Sequence, residues 1–302
     1  MRNPILRFVM TVTCLVLCSA PYQDQAEGFT FTSIDFPGAF RTFALGINNG
    51  GQIVGGYDDA TGGRGFLDSG GSFTSISVPG ATTIDATGIN DGGQIVGNYF
   101  GATGSHGFLD SGGRFTSINV PGDFYTTANG INNGGQIVGL YEDATGFHGF
   151  LDSGGRFTSV PGGPPYGINN GGQIVGSYFD ATGGHGFLDS GGRFTSFNVP
   201  GTTNTFPAGI NDGGQIVGYY YDATGRGQGF LDSGGRFTSF TVPGATATYP
   251  SGINNGGQIV GGYYDATFGL HGFLATAPEP SSLLLLGSGL VGLVAWRWKH
   301  AA

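Results

Sequence analysis

The chain repeats one ten-residue stretch, Gly46-Ile47-Asn48-Asn49-Gly50-Gly51-Gln52-Ile53-Val54-Gly55, six times in nearly the same form. The copies are separated by 42, 42, 37, 42 and 43 residues and begin at Gly46, Gly88, Gly130, Gly167, Gly209 and Gly252. In each copy, Asn-Gly or Asp-Gly supplies the backbone conformations of a tight hairpin turn, and Gln-Ile-Val continues as a strand. A period of this length predicts an array of β units.

Each unit contains four strand-like segments separated by turn residues. In the second copy the first segment ends at Gly88-Ile89-Asn90, and the others are Gln94–Tyr99, His106–Asp110 and Arg114–Val120. Adjacent apolar residues such as Ile95-Val96 place hydrophobic side chains on both faces of the sheet, so both faces must be covered. Four short antiparallel strands of this kind predict a propeller blade.

The phase of the repeat predicts that the array closes. The body begins with an extra fourth strand, Phe31–Pro37, and ends with a unit that lacks one, at Gly272-Phe273-Leu274. If the extra N-terminal strand pairs with the incomplete last unit, no sheet edge remains open. The predicted fold for residues 27–275 is therefore an all-β, six-bladed propeller of four-stranded antiparallel blades, closed by the N-terminal strand. An open β-solenoid is the alternative, although it would need atypical capping repeats.

Residues 1–26 have the features of a signal peptide. Arg2 and Arg7 precede an apolar segment that is too short to span a membrane. Both cysteines, Cys14 and Cys18, lie in this leader, so the body has no disulfide. An exported body stabilised by packing rather than by cross-links is expected.

The C-terminal tail, residues 276–302, departs from the repeat. Pro278-Glu279-Pro280 is followed by an apolar run that predicts a membrane helix over 281–296, and then by a basic end that predicts a cytoplasmic C-terminus. This order of parts resembles the PEP-CTERM sorting signal. The resemblance implies a Gram-negative bacterium, transient anchoring in the inner membrane, processing by an exosortase, and delivery to the cell surface or an exopolysaccharide-rich matrix.

The repeats themselves resemble the HAF family of extracellular repeats. The resemblance rests on Gly209–Gly218 and on His185-Gly186-Phe187, where glycine replaces the alanine of the family's namesake triplet. It implies an extracellular repeat protein and brings no established activity with it.

The charge of the body limits its partners. Residues 27–277 contain seven arginines against eighteen aspartates and glutamates, a net charge of −11. Such a body repels phosphate backbones, so nucleic-acid binding is not expected. Cations, sugars and basic partners remain compatible with this charge.

Differences between the repeats concentrate in the connections of one predicted face, where binding loops usually lie. Aromatic residues there suit stacking on sugar rings, with neighbouring polar side chains bonding the hydroxyls. The candidate ligand-binding residues are Phe40, Phe43, Phe124, Tyr125, Tyr166, Phe206 and Tyr249. In the alternative interpretation, these side chains point inward and fill the core between blades.

Histidines and aspartates recur at fixed positions of the repeat. The histidines His106, His148, His185 and His271 share one register, which Arg64 and Gln228 occupy in two other units. A metal ring is conceivable, but a His–Asp hydrogen bond within each loop is the favoured interpretation. The loop aspartates are Asp59, Asp143, Asp180, Asp222 and Asp265. They suit turn formation, with calcium as the alternative, and no resident metal or cofactor is predicted.

Catalysis would require residues that break the repeat. The aperiodic carboxylates are Asp35, Asp85, Asp123 and Glu142, and nothing in the sequence places them together. The sequence therefore predicts a non-enzymatic surface or matrix protein that contacts exopolysaccharide. A glycan-active hydrolase or lyase and an inert structural spacer are the alternatives.

Overall fold

The computed structural model describes residues 28–123 and 125–276, and over this part the chain forms 24 β-strands and no helix. The strands pair into six separate four-stranded antiparallel sheets. Each sheet is one blade of a six-bladed propeller, and the first strands of neighbouring blades contact one another around a central channel. The predicted leader (1–26) and membrane helix (281–296) lie outside the described residues.

The strands are numbered in chain order, and the first is β1 (Thr30–Ile34). Blade 1 consists of β2 (Arg41–Ile47), β3 (Gln52–Asp59), β4 (Gly62–Ser69) and β5 (Ser72–Ile76). Blade 2 consists of β6 (Thr83–Ile89), β7 (Gln94–Gly101), β8 (Gly104–Ser111) and β9 (Phe115–Ile118). Blade 3 consists of β10 (Tyr125–Ile131), β11 (Gln136–Asp143), β12 (Gly146–Ser153) and β13 (Phe157–Val160).

The second half of the chain repeats this arrangement. Blade 4 consists of β14 (Pro165–Ile168), β15 (Gln173–Asp180), β16 (Gly183–Ser190) and β17 (Arg193–Phe197). Blade 5 consists of β18 (Thr205–Ile210), β19 (Gln215–Tyr221), β20 (Gly227–Ser233) and β21 (Phe237–Phe240). Blade 6 consists of β22 (Ala247–Ile253), β23 (Gln258–Tyr264), β24 (Leu270–Thr276) and, as its outer strand, β1.

The up-and-down course of each blade gives the ring two different faces. The hairpin turns between the first and second strands and between the third and fourth strands lie on one side, here called the turn face. The connections between the second and third strands, and those between blades, lie on the opposite side, here called the loop face.

The N-terminal strand completes the last blade, as the phase of the repeat predicts. β1 pairs antiparallel with β24, from Thr30 opposite Thr276 to Ile34 opposite Gly272. Next to β1, Phe29 stacks on Phe240 of blade 5 with ring centroids 4.6 Å apart. The six-bladed prediction is therefore confirmed, and the open solenoid is excluded.

The core lies between the blades. Ile53 packs in the space between blades 6 and 1, whereas the adjacent Val54 packs in the space between blades 1 and 2. Phe66 and Phe108, each from the third strand of its blade, are fully buried. Neighbouring residues of one strand thus serve two cores, which explains why the strands carry adjacent apolar residues.

Six glycines line the central channel where the innermost strands meet. They open each copy of the repeated stretch, and each faces the equivalent glycine of the next blade. A Cβ placed on Gly46 would lie 3.0 Å from the Cα of Gly88, and one on Gly252 would lie 3.3 Å from the Cα of Gly46. Backbone meets backbone here, so only glycine permits the innermost strands to approach the axis this closely.

A closed ring of hydrogen bonds surrounds the channel just beyond these glycines. The side-chain amide of Asn48 donates to the backbone carbonyl of Asn90 in the next blade at 3.2 Å. The same bond recurs at every blade interface and ends with Asn254 donating to the carbonyl of Asn48 at 3.1 Å. These asparagines are buried, and each also accepts the N–H of the glutamine four residues later, as Asn48 does from Gln52 at 2.9 Å.

A second, exposed ring lies on the turn face. The carboxylate of Asp91 accepts the backbone N–H of Asn49 at 2.8 Å and the side-chain amide of Asn133 at 2.7 Å. Asp212, in the blade directly opposite, is held in the same way by Asn170 and Asn255. Burial would raise the pKa of the Asp91 carboxyl, but the amide donors outweigh it and lower that pKa.

Candidate functional site on the loop face

Each second strand contains a constant tyrosine, and the residue types at the two positions beside it vary most between blades. The hydroxyl of this tyrosine faces the fourth strand, as in Tyr57, which lies 2.9 Å from the Ser75 hydroxyl. The residue after this tyrosine points to the loop face and is aromatic in four blades and acidic in two. These residues are Asp58, Phe100, Glu142, Phe179, Tyr221 and Tyr264. The loop face therefore has a different chemistry around each part of the ring.

The predicted aromatic residues lie closer to the axis than expected. Only Phe40 lies in a connection, and its side chain is 67% exposed. Phe124 lies outside the described residues. The others belong to innermost strands, which corrects their placement in loops: Phe43, Tyr125, Tyr166, Phe206 and Tyr249. The reason is that first and second strands continue pairing up to the loop face, for example at Arg41 opposite Asp58.

Blades 4 to 6 carry an aromatic cluster, defined here as Phe179, Phe206, Tyr219, Tyr221, Tyr249 and Tyr264. Phe206 stacks on Tyr219 with centroids 5.0 Å apart, and Tyr249 meets Tyr219 edge-on, also at 5.0 Å. The outer members stay accessible, since Phe179 is 70% and Tyr221 38% exposed. The cluster is a continuous aromatic surface that spans two blade interfaces.

Tyr219 is the centre of this cluster. Burial raises the pKa of its phenol, and the neighbouring phenols of Tyr221, Tyr166 and Tyr249 raise it further. The hydroxyl therefore stays protonated and can donate a hydrogen bond to a ligand at any physiological pH. Tyr166 contributes from the wall of the central channel.

The opposite part of the loop face holds a cleft of about 450 Å³ between blades 2 and 3, here called the acidic cleft. Its carboxylates are Asp85, on the innermost strand of blade 2, and Glu142, which pairs with Tyr125 across blade 3. Phe100, 54% exposed, lines it as well. The Tyr125 ring meets Phe147 edge-on at 6.3 Å. The cleft thus combines two acidic groups with aromatic walls.

Burial and nearby negative charge shift the pKa values of two groups in the cleft. Burial, and then the nearby Asp58 carboxylate, raise the pKa of Asp85 above its ordinary value. Burial also raises the pKa of the Tyr125 phenol; Ser105 opposes this, while Glu142 and Asp85 add to it. Both shifts therefore follow first from burial and then from neighbouring negative charge.

Two of the four aperiodic carboxylates line one cleft, and the other two lie elsewhere. Asp85 and Glu142 line the same cleft. Asp35 follows β1 and bonds His271 of blade 6 at 2.8 Å. Asp123 lies in the connection before β10 and bonds Thr126 of that strand. The packing of consecutive blades places both members of the first pair on one cleft although they are 57 residues apart.

The repeated histidines each bond within their own blade. His148 lies 3.1 Å from Asp143 and His185 lies 3.0 Å from Asp180, which matches the predicted His–Asp hydrogen bond. His106 is different, because Gly101 stands in place of the aspartate. It bonds Thr103 at 2.7 Å and Asn119 at 2.8 Å instead.

The loop aspartates are engaged in turns. Asp180 Oδ1 accepts the backbone N–H of Thr182 at 2.7 Å and its hydroxyl at 2.6 Å. These two bonds, followed by the one from His185, lower the pKa of Asp180 to about 2. The equivalent bonds recur at the other four loop aspartates. In the described part of the chain, no three His, Cys, Asp or Glu side chains converge as metal ligands do.

Sequence reasoning missed Tyr219, Tyr221 and Tyr264 as well as Phe100 and Phe179. The signal that could have found them is the segment Gly-x-Tyr-x after each Gln-Ile-Val, in which the two variable positions flank the constant tyrosine. In an array of near-identical repeats, positions whose residue type changes from copy to copy mark a surface that the packing of the fold does not constrain.

The C-terminal segment matches a known sorting signal. Residues 276–299 match the PEP-CTERM protein-sorting motif. This motif implies export and membrane-anchored processing in Gram-negative bacteria, and it is recognised by exosortase processing. The residues Pro278, Glu279 and Pro280 of this match lie outside the described residues. Within those that are described, no helix has the length and apolarity needed to cross a membrane.

The fold is similar to solved propeller structures at low sequence identity. A streptogramin B lyase structure is 14% identical with a TM-score of 0.49, covering 83% of this chain and 98% of that chain. A catalytically inactive virginiamycin B lyase from Staphylococcus aureus is 13% identical with a TM-score of 0.48, covering 82% and 99%. These similarities concern the fold alone. No curated protein sequence matches the chain.

Proposed function

We propose that this exported protein is a non-enzymatic surface or matrix component that binds polysaccharide through its loop face. The observation that carries the proposal is the aromatic cluster, a continuous set of six rings on a rigid scaffold that remains partly open to solvent. The sorting motif supports it by assigning the protein to the export route. The resemblance of the repeats to HAF-type extracellular repeats agrees with the same location.

The chemistry of the cluster suits sugars. The C–H faces of a pyranose ring are apolar and stack on aromatic rings, while its hydroxyls need hydrogen-bond partners at the edges. Tyrosines supply both at once, and three of them surround Tyr219. Since the rings already contact one another, little side-chain freedom is lost when a ligand binds.

The test is binding of the full-length chain, purified in mild detergent, to a panel of immobilised bacterial polysaccharides. Tyr221→Ala and Tyr264→Ala should each weaken binding to the preferred polymer by at least fivefold. Both side chains are more than one-third exposed, so the fold should tolerate their loss. The matched control is Phe268→Asn, because Phe268 is 79% exposed on the same face, outside the cluster, and asparagine accepts its left-handed backbone (φ 65°).

Binding to no polymer in the panel would contradict the proposal and would leave the protein as a structural spacer. Equal losses for the cluster variants and for the control would also contradict it, because they would indicate non-specific adhesion of exposed aromatic side chains.

A second candidate function follows from the acidic cleft. Glycoside hydrolysis uses two carboxyl groups, and this cleft is lined by two, of which Asp85 has the raised pKa that a general acid needs. A glycan-active enzyme would release reducing ends from one polymer of the panel, and Asp85→Asn and Glu142→Gln would each abolish the release. Unchanged polymer after prolonged incubation with the wild-type chain would exclude it for that panel.

A further inference from the structure

We propose that the acidic cleft binds the protonated amine of an amino sugar, so that the polysaccharide recognised by the loop face carries free amino groups. This inference rests on the proposed function and assigns a ligand class to one part of the same face. It is carried by the carboxylates of the cleft, by the absence of cations around them, and by the aromatic walls.

The carboxylates of the cleft have no partner of their own. Asp85 is half-buried, and among residues 28–123 and 125–276 neither it nor Glu142 has an ion pair or a side-chain hydrogen bond. The five repeated aspartates of the second-to-third-strand loops, by contrast, each accept hydrogen bonds within their own turn. A desolvated carboxylate without a donor is stabilised by an arriving cation.

No basic side chain of the described chain lines the cleft. Arg41 of blade 1 lies 3.7 Å from Asp58, and Asp85 has no ion pair within the described residues. On the whole loop face, ten carboxylates stand against three arginines. An acidic sugar would therefore be repelled from this face, and a cationic one would be attracted.

The walls of the cleft favour an organic cation over a bare ion. Tyr125 and Phe100 present aromatic rings, which attract an ammonium group through their faces and stack on the sugar ring that carries it. The raised pKa of Tyr125 keeps its phenol neutral and able to donate to a sugar hydroxyl. Asn98 adds a polar amide to the lining of the cleft.

The volume of the cleft and the number of its acidic groups also favour an ammonium group over a metal ion. A volume of about 450 Å³ falls within the range of small-molecule sites, roughly 300–1,000 Å³. A calcium ion would require six to eight oxygen ligands, whereas the cleft offers two carboxylates. An ammonium group needs only three acceptors.

The test compares two oligosaccharides that differ only at nitrogen. A β-1,4-linked glucosamine tetramer and its fully N-acetylated counterpart are titrated into the full-length protein by calorimetry, with EDTA present to remove divalent cations. The free-amine tetramer should bind at least tenfold more tightly. Glu142→Gln and Asp85→Asn, which keep the side-chain shapes, should each remove most of this preference.

The control separates the cleft from the overall negative charge. Asp35→Asn removes the same charge from the same face, in blade 6, and asparagine already occupies this register at Asn119 and Asn198. It should leave the preference within twofold of wild type. Thermal melting of each variant confirms that it is folded.

Each outcome decides the inference. Equal affinity for both tetramers would overturn it while leaving polysaccharide binding intact. Equal weakening by Glu142→Gln and Asp35→Asn would overturn it in favour of general charge attraction. Binding of neither tetramer would also overturn it, and the polysaccharide panel would still decide the proposed function independently. Binding of the free-amine tetramer only in a repeat titration without EDTA would assign the cleft to a metal ion instead.

Discussion

The imidazole of His271, in the last strand, lies 2.8 Å from the carboxylate of Asp35, which directly follows the first strand. The other ring nitrogen lies 3.4 Å from Asp265. In blades 2 and 4 the residue equivalent to Asp35 is an asparagine, so a histidine held between two carboxylates occurs only in the blade that joins the two ends of the described chain. The strand pair that closes the ring is therefore accompanied by a His271–Asp35 ion pair that can be titrated.

This ion pair should make closure depend on pH. The hydrogen bond to Asp35, and then Asp265, raise the pKa of His271 above its ordinary value of 6.5, although burial opposes this. A raised folded-state pKa gives stabilisation that is fully present below the unfolded pKa and is lost as pH rises through the folded pKa. Because the pair is partly exposed, its contribution is about 0.2–1 kcal/mol, or roughly 1–3 °C in melting temperature.

The measurement is the melting temperature of wild type and Asp35→Asn at pH 5.5 and 8. The wild type should lose more stability than the variant over this interval, because asparagine bonds the neutral imidazole equally well. An identical pH dependence in the two proteins would contradict the prediction.

The glycine ring should not accept a side chain. In Gly46→Ala, the new Cβ would lie 3.0 Å from both the Cα of Gly88 and the carbonyl oxygen of Thr87, and backbone atoms cannot move aside. We expect a loss of about 1–3 kcal/mol in unfolding free energy, measured by denaturant titration. Gly101→Ala is the control, since its nearest atom is 3.5 Å away, and it should change stability by less than about 0.5 kcal/mol. Equal effects would show that the axis is not closely packed.

The inner asparagine ring should matter more than the outer one. Asn132→Ala removes a donor to the Asn169 carbonyl and an acceptor for the Gln136 N–H, both in a buried position. Its expected cost is about 2–3 kcal/mol in unfolding free energy. Asn133→Ala, in the exposed ring, should cost less than about 1 kcal/mol because water replaces its bonds. The reverse order in denaturant unfolding would refute the assignment of the inner ring as the main polar contact between blades.

Blade 2 should gain a loop contact that it lacks. In Gly101→Asp, the carboxylate would reach Thr103 and His106, as Asp143 reaches its own threonine and histidine in blade 3. The added carboxylate should supply the turn bonds that Asp143 makes in blade 3 and raise the melting temperature by about 1 °C. Gly101→Ala, which has no carboxylate, is the control and should show no such gain. An unchanged melting temperature in Gly101→Asp would show that the blade 2 loop does not adopt the common turn.

The closed ring could be predicted from the sequence because the repeat begins and ends out of phase. An extra fourth strand at Phe31 and a missing one after Leu274 leave one pairing that removes both edges. The alternation of Ile53 and Val54 likewise predicted that each sheet is covered on both sides. Both inferences need only local patterns and the count of units.

The site could not be predicted to the same extent, because it depends on side-chain direction across blades. A β-bulge between Ala44 and Gly46, repeated in every blade, shifts the register of the innermost strand. Residues before the bulge, such as Phe43 and Asp85, therefore point differently from what simple alternation would give. Contacts such as Tyr219 with Tyr249 also join residues from different repeats, which no pattern within one repeat reveals.

Since Thr30 is paired with Thr276, the described chain enters and leaves the ring side by side, on the turn face. An attachment through the segment beyond Thr276 would therefore hold the ring by its turn face and leave the loop face directed away from the attachment point. The aromatic cluster and the acidic cleft would then be displayed outward, with their full width free for a long polymer to lie across.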